Sequence, residues 1–92
     1  MNRSDLIAAL AERAGTSTTD TDRLLAALAS VVTECLVSGD RVALPGFVTF
    51  EAIDRAGRTG RNPRTGETLV IPARRVPRLT AGAALKRAVA AG

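Results

Sequence analysis

The first forty residues place their apolar side chains at a helical spacing. Apolar positions recur every three or four residues between positions 4 and 14, and Gly15 follows the last of them, which predicts a short amphipathic helix. A broader stripe of the same period runs from Leu24 to Leu36 and ends before Gly39. Ser17 and Asp20 precede this stripe at the spacing of a capping box. We therefore predict two helices, joined as a hairpin, within residues 1–39.

After residue 40 the period of the apolar positions shortens to two, which is typical of strands. In the longest such segment Val48 and Phe50 fall on one face, and Thr49 and Glu51 fall on the other. Pro77 lies in the last segment and indicates an edge strand, because proline cannot donate a ladder hydrogen bond. The predicted strands are residues 41–44, 47–56, 69–71 and 76–79, and a short last helix is predicted to begin at Thr80 or Ala81.

The segment from residue 55 to residue 75 has few apolar positions and many arginines. At its centre, Asn62-Pro63-Arg64-Thr65-Gly66 is a turn sequence, because Pro63 presets φ and Gly66 accepts a positive φ. We predict a long β-hairpin arm with its tip at residues 62–65, whose strands of about eight or nine residues would extend roughly 25–30 Å. The arginines at 55, 58, 61 and 64 are spaced by three, which does not match a flat strand. The arm therefore either twists strongly or contains a bulge at its base.

Such a hairpin has nothing to pack against, and the remaining body of about seventy residues is marginal alone. The apolar surface of the second helix and of the two Phe side chains is larger than two short helices can cover. We therefore predict an α+β fold in an intertwined dimer. Each chain has an N-terminal two-helix hairpin, a three-stranded antiparallel sheet with a long extended β-hairpin arm, and a short C-terminal helix. The predicted dimer core contains Leu28, Val32, Leu36, Leu44, Phe47, Phe50 and Leu79.

The composition argues against catalysis. The chain has no His, Trp or Tyr, one Cys and two Phe, so neither a His-dependent relay nor a Cys₂His₂ metal site can be assembled. We expect no enzyme activity, metal, cofactor or small-molecule substrate. The single Cys35 lies on the apolar stripe, which favours a buried thiol over a redox switch. With no apolar leader or spanning segment, we expect a cytoplasmic protein with no membrane partner.

The charges are divided unevenly along the chain. Residues 1–54 have four basic and eight acidic side chains, a net charge of −4, whereas residues 55–92 have nine basic side chains and one acidic, a net charge of +8. A segment this basic is expected to bind a polyanion. Duplex nucleic acid is the first candidate, and an anionic membrane surface is the second. The helical half is acidic, which argues against a helix-turn-helix recognition helix there.

Two motifs resemble those of the HU/IHF family of bacterial nucleoid-associated DNA-bending proteins: Pro45-Gly46-Phe47-Val48-Thr49-Phe50, and Arg58-Thr59-Gly60-Arg61-Asn62-Pro63-Arg64-Thr65-Gly66. The resemblance covers nearly all 92 residues. It implies a homodimer, as in HU, or a heterodimer, as in integration host factor, whose two arms wrap double-stranded DNA in the minor groove, with Pro63 as a wedge that kinks the duplex; of the two we expect the homodimer. The DNA-binding residues that it implies are Arg3, Arg55, Arg58, Arg61, Asn62, Pro63, Arg64, Arg74, Arg75, Lys86 and Arg87. Val48, Leu79 and Ile53 depart from the family's pattern.

Together these observations predict one domain over residues 1–92. Its parts are a helical dimerisation region (1–39), a saddle-shaped sheet (40–54 and 76–80), the DNA-binding arm (55–75) and a C-terminal helix (81–92). We expect a histone-like protein of the nucleoid that bends and compacts DNA with little sequence specificity and accepts bent, nicked or junction DNA. The alternatives are a subunit of an integration-host-factor-like site-specific heterodimer, and a basic module that binds other proteins rather than DNA.

Overall fold

The computed structural model describes residues 1–92, which form three helices and five strands. These elements group into two compact units, Met1–Glu34 and Cys35–Gly92. The predicted α+β fold with antiparallel strands is confirmed. The helices are α1 (Arg3–Ala14), α2 (Thr18–Val37) and α3 (Ala83–Ala91), and the strands are β1 (Val42–Leu44), β2 (Val48–Arg55), β3 (Arg58–Arg61), β4 (Thr68–Ile71) and β5 (Arg74–Ala81).

Side-chain caps define where the helices of the first unit begin. Asn2 Oδ1 accepts a hydrogen bond from the Asp5 backbone N–H at 2.9 Å, and Asp5 Oδ2 accepts one from the Asn2 N–H at 3.2 Å. This reciprocal cap starts α1 at Arg3, one residue before the predicted start. Ser17 Oγ accepts from the Asp20 N–H at 3.0 Å, so the predicted start of α2 is confirmed.

The second unit contains a three-stranded antiparallel sheet in the order β1-β2-β5. Because side chains alternate along a strand, the sheet has two different faces. The apolar face carries Val48, Phe50, Ala52 and Asp54 of β2 with Arg75, Pro77, Leu79 and Ala81 of β5. The polar face carries Thr49, Glu51, Ile53 and Arg55 of β2 with Arg74, Val76, Arg78 and Thr80 of β5.

The last helix begins later than predicted. Thr80 and Ala81 are still strand residues, because they pair with Thr49 and Val48 of β2. Gly82 is the N-cap, and α3 begins at Ala83. The start of the last predicted strand, at position 76, was also wrong, since β5 already begins at Arg74. The sheet therefore extends into what was predicted to be the arm.

The arm has its own two-stranded sheet, in which β3 pairs with β4. The last pair of the main sheet is Arg55↔Arg74, and the first pair of the arm is Arg58↔Ile71. Two residues separate these pairs on each strand, so the ladder is interrupted without an inserted residue. The alternative of a bulge at the base, which requires one extra residue on one strand, is wrong. Pro72 lies in the interruption and has no N–H to donate.

The arm's own ladder is shorter than predicted. It has four residue pairs, from Arg58↔Ile71 to Arg61↔Thr68, which corresponds to roughly 13 Å of paired strand. The strands of eight or nine residues predicted for the arm therefore included three parts: this ladder, the unpaired residues next to it, and the end of the main sheet. The arm is therefore a short ribbon attached to a sheet through unpaired backbone.

Very little of the chain is buried. Only Ile7, Ala11 and Thr21 are buried, and no side chain is below 2% exposure. Large apolar side chains are exposed in both units: Leu28 is 44% exposed, and Leu79 is 61% exposed. The accessible surface is 7460 Å², whereas a compact monomer of this mass is expected to expose about 5,000 Å². The single chain therefore lacks a hydrophobic core of ordinary size.

Candidate nucleic-acid interface

The arginines of the chain fall into two groups, those with an acidic partner and those without. Arg3, Arg75 and Arg78 form ion pairs with Asp22, Asp54 and Glu51 respectively. None of the arginines between positions 55 and 74 has a hydrogen bond or an ion pair from its side chain to another residue of the chain. These unpaired arginines, which we call the arm arginines, are Arg55, Arg58, Arg61, Arg64 and Arg74, and all five are exposed.

Three of the arm arginines meet at the root of the arm. Arg55, Arg58 and Arg74 line a cavity of about 260 Å³ together with apolar atoms of Ile71 and Pro72. Arg55 and Arg58 are three residues apart, so strict alternation would place them on opposite faces. The interruption of the ladder between them removes that constraint. Like charges brought together on an exposed surface attract an anion, and guanidinium groups bond phosphate bidentately.

The tip of the arm is a tight turn held by its own polar groups. The Asn62 N–H donates to the Glu67 carbonyl at 2.8 Å, and the Gly66 N–H donates to the Asn62 carbonyl at 2.7 Å. Asn62 Oδ1 accepts from the Arg64 N–H at 2.9 Å. Gly66 has φ of 73°, as the predicted turn requires. The turn leaves Pro63 exposed at the tip, while the carboxamide oxygen of Asn62 is used within the turn.

The structure separates Arg75 from the other predicted DNA-binding residues. Its side chain lies on the apolar face of the sheet, whereas those of Arg55 and Arg74 lie on the polar face. The Arg75 guanidinium donates to Asp54 Oδ1 at 3.3 Å and to the carbonyl of Val37, the last residue of α2, at 3.1 Å. A cation at the C-terminus of a helix is stabilised by the helix dipole. These contacts give Arg75 a structural role.

The remaining predicted residues lie apart from the arm in sequence. Arg3 Nη2 donates to Asp22 Oδ1 at 2.9 Å within the first unit, so its charge is already matched. Lys86 and Arg87 are adjacent on α3, are exposed, and have no acidic partner in the chain. Sequence reasoning missed Arg78, which the register places on the polar face with Arg74. The spacing of four residues in one strand was the available signal, because it puts both side chains on one face.

The predicted dimer-core residues are incompletely covered in the single chain. Four of them, Leu28, Leu44, Phe47 and Leu79, are 37% to 61% exposed. The other three, Val32, Leu36 and Phe50, are half-buried. Cys35, which was predicted to be buried, is also only half-buried. No three His, Cys, Asp or Glu side chains are grouped so that they could hold a metal ion, and none of the helices combines the length and apolar character needed to cross a membrane.

An antiparallel sheet followed by an exposed, arginine-rich two-stranded ribbon defines a class, the β-ribbon nucleic-acid-binding proteins. Residues 1–90 match the family described as bacterial DNA-binding protein, and the chain belongs to that family, which includes HU and IHF. The resemblance found in the sequence is thereby confirmed. It is a family of structural DNA-binding proteins and not of enzymes.

Relatives and solved structures agree with this membership. DNA-binding protein HU 1 of Streptomyces coelicolor is 52% identical over 89 residues, covering 96% of each chain. DNA-binding protein HU of Geobacillus stearothermophilus is 48% identical over 89 residues, covering 97% of this chain and 99% of that protein. An Anabaena HU–DNA cocrystal structure superposes over the whole of both chains with a TM-score of 0.87 and 41% identity.

Proposed function

We propose that this chain is a histone-like protein that binds duplex DNA with its arm, bends it, and contributes to compaction of the nucleoid. The observation that carries the proposal is the set of five arm arginines, which are exposed and have no acidic partner within the chain. Unpaired arginines are available to neutralise phosphates and release counterions without first losing an internal partner. The HU relatives and the HU–DNA cocrystal support the same function.

Binding in the minor groove, a mode known for HU and IHF themselves, suits the arm. The ribbon would place Arg61 and Arg64 on either side of Pro63, where their planar guanidinium groups can enter a narrow groove with negative potential. Pro63 presents an apolar ring at the exposed tip. Wedging such a ring between base pairs costs a few kcal/mol of unstacking, which additional phosphate contacts along the bent duplex must offset.

The chain presents no set of side chains suited to reading bases. Asn62, the one amide in the arm, uses its carboxamide oxygen to hold the turn. Contacts made mainly by arginine to phosphates carry little sequence information. We therefore infer that DNA is selected by its shape and deformability, so that bent, nicked and junction DNA are preferred over a stiff linear duplex.

The functional form that we propose is a homodimer. The chain exposes roughly 2,400 Å² more than a compact monomer of its mass, part of it on the arm. Obligate dimer interfaces are of this size and are rich in apolar side chains. Phe47 and Leu79 are 56% and 61% exposed, and pairing two chains would cover them. Two chains would also supply two arms and ten arm arginines to one duplex.

Binding to fluorescent duplex, nicked and four-way-junction DNA at several salt concentrations tests this function. If six to ten phosphates are neutralised per dimer, affinity should fall by about 10³–10⁵-fold between 50 and 200 mM salt. Nicked and junction DNA should bind more tightly than the linear duplex. An affinity that does not change with salt would refute phosphate contact by the arm. A chain that folds and binds only with a second, different subunit would favour the heterodimer.

A further inference from the structure

The outer strand of the arm, β4, is an edge strand without a charged residue. It pairs with β3 on one side only, so its other edge presents unpaired backbone groups. All four of its residues are exposed, and three are apolar: Leu69, Val70 and Ile71 are 48%, 77% and 41% exposed. Edge strands are normally protected by charged side chains, and an uncharged apolar edge is a template for pairing with another strand.

The hydrogen bonds of the arm show which backbone groups of β4 are free. The Asn62 N–H donates to the Glu67 carbonyl at 2.8 Å, so these two residues form a hydrogen-bonded pair. Hydrogen-bonded and non-hydrogen-bonded pairs alternate along an antiparallel ladder. Thr68 and Val70 therefore belong to non-hydrogen-bonded pairs, and their N–H and C=O groups point away from β3. The outer edge of β4 thus offers two donors and two acceptors.

This edge is complementary to a second copy of itself. When two copies of β4 pair antiparallel about Leu69, Thr68 of each copy faces Val70 of the other, and the two pairs form four backbone hydrogen bonds. The two Leu69 side chains lie opposite each other at the centre, with Cβ atoms about 4.5–5.5 Å apart. Gly60, the β3 partner of Leu69, has open space where a Cβ would be. The leucines can therefore pack together without obstruction.

The same register also pairs opposite charges between the two copies. Glu67 is the one acidic residue among residues 55–92, and its carboxylate has no hydrogen bond or ion pair within the chain. In the paired sheet Glu67 lies opposite Ile71 of the second copy, whose β3 partner is Arg58. Glu67 and that Arg58 share a face and are two strand spacings apart, about 9–10 Å, which two long side chains can span.

Repulsion between the two basic arms is reduced by the order of the strands. Pairing through β4 gives the order β3-β4-β4-β3, so the arginines of β3, Arg58 and Arg61, lie on the two outer strands. The outer strands are three strand spacings apart, about 14 Å. This distance exceeds the screening length of about 8 Å at 0.15 M ionic strength. The charges of these two strands are therefore largely screened from each other.

We propose that the outer edge of β4 is a self-association surface, through which the arms of two copies of this chain pair into one four-stranded antiparallel sheet. The occupant of the edge is the β4 strand of a second copy. The pairing uses the backbone of β4 and the charge of Glu67, so it does not depend on the proposed binding of DNA. A homodimer has two such edges, and pairing through them links one dimer to the next.

Sedimentation velocity of the full-length protein without DNA, over a series of protein concentrations at 150 mM salt, measures this association. The unmodified protein should form particles larger than its basic oligomer as the concentration rises. Val70→Pro removes an N–H that points away from β3 and leaves the ladder of the arm in place. Each contact between arms then loses two hydrogen bonds, one from each copy, so association should weaken at least tenfold.

The matched control is Thr59→Pro. Thr59 is directly opposite Val70 in the ladder, so the same substitution removes an N–H from the other edge of the same ribbon. It should leave the association of the unmodified protein unchanged. Equal weakening by Thr59→Pro and Val70→Pro would overturn the inference, because the loss would then come from damage to the arm and not from its outer edge.

Exchanging two charges tests the register. Glu67→Arg should weaken association, because it places like charges together in each contact, and the double variant Arg58→Glu/Glu67→Arg should recover most of the loss. Within one arm these residues are four positions apart along the ladder, about 13 Å, so recovery requires contact between copies. A double variant no better than Glu67→Arg, or an unmodified protein of one size at all concentrations, would overturn the inference. Because DNA is absent, either result leaves the proposed function intact.

Discussion

Arg74 and Arg75 are adjacent in the sequence, yet the register of the sheet gives them different tasks. The two variants Arg74→Gln and Arg75→Gln remove the same charge from neighbouring positions. Arg74 lies on the polar face and lines the cavity at the root of the arm. Arg75 lies on the apolar face, bonded to Asp54 and to the Val37 carbonyl. We expect the first substitution to weaken DNA binding and the second to destabilise the fold.

The contacts of Arg75 set the size of the loss in stability. The ion pair with Asp54 is 3.3 Å long, and its side chains are 50% and 82% exposed, so it contributes little, about 0–0.5 kcal/mol. The hydrogen bond to the Val37 carbonyl contributes about 1 kcal/mol. Arg75→Gln should therefore cost about 1–1.5 kcal/mol, which lowers Tm by roughly 4–12 °C for a domain of this size. Its salt slope, which is the change in log affinity for DNA with log salt concentration, should not change.

Arg74→Gln should produce the opposite result. It breaks no side-chain hydrogen bond or ion pair within the chain, so its Tm should match that of the unmodified protein. Its salt slope should fall by about 2 for the two copies in a dimer. Thermal melting at one fixed protein concentration and anisotropy titrations between 50 and 200 mM salt measure both quantities. If Arg75→Gln left Tm unchanged and reduced the salt slope as Arg74→Gln does, the assignment of the two residues to opposite faces would be refuted.

Three other substitutions test separate parts of the structure. Pro63→Ala should reduce the bend angle measured by FRET while retaining most of the affinity, and an unchanged angle would exclude a wedge. Gly82→Ala should lower the free energy of unfolding measured in urea by about 1–3 kcal/mol or more, because its Cβ would lie 2.4 Å from the Gly46 carbonyl carbon. The control is Gly60→Ala, whose Cβ would have no atom within 4 Å. This control should unfold at a clearly higher urea concentration than Gly82→Ala. Leu79→Asp should yield monomeric, largely unfolded chains in analytical ultracentrifugation and circular dichroism, and a well-folded dimer would contradict the proposed interface.

Local chemistry explains which parts of the fold could be predicted. The turn at residues 62–66 was predictable because Pro63 and Gly66 restrict the backbone whatever surrounds them. The helices were predictable from their periodic apolar positions. The start of α3 was not, because Thr80 and Ala81 remain in the sheet through pairing with β2, a contact between segments far apart in the chain. The reciprocal cap of Asn2 and Asp5 was visible in the spacing but was overlooked.

The candidate site was predictable in composition but not in arrangement. The concentration of arginine after residue 54 indicated a polyanion-binding segment. Which arginines are free depends on the register between β2 and β5, which brings Glu51 to Arg78 and Asp54 to Arg75. The spacing of three along the arm suggested a twist or a bulge. The structure excludes the bulge, because the ladder has a gap at Pro72 with the register preserved. The pattern of a single strand cannot indicate such a gap.

Because few residues are buried in the single chain, the stability of the folded protein is expected to depend on its concentration. If two chains complete one core, folding is a second-order reaction, and each tenfold dilution lowers the apparent free energy of unfolding of the dimer by about 1.4 kcal/mol. A cell that makes little of the chain would therefore hold a larger fraction of unfolded copies, open to proteases. Copies already on DNA would be protected, since binding to the folded state stabilises it. The amount of folded protein would thus follow the amount of available DNA by mass action, without a dedicated regulator.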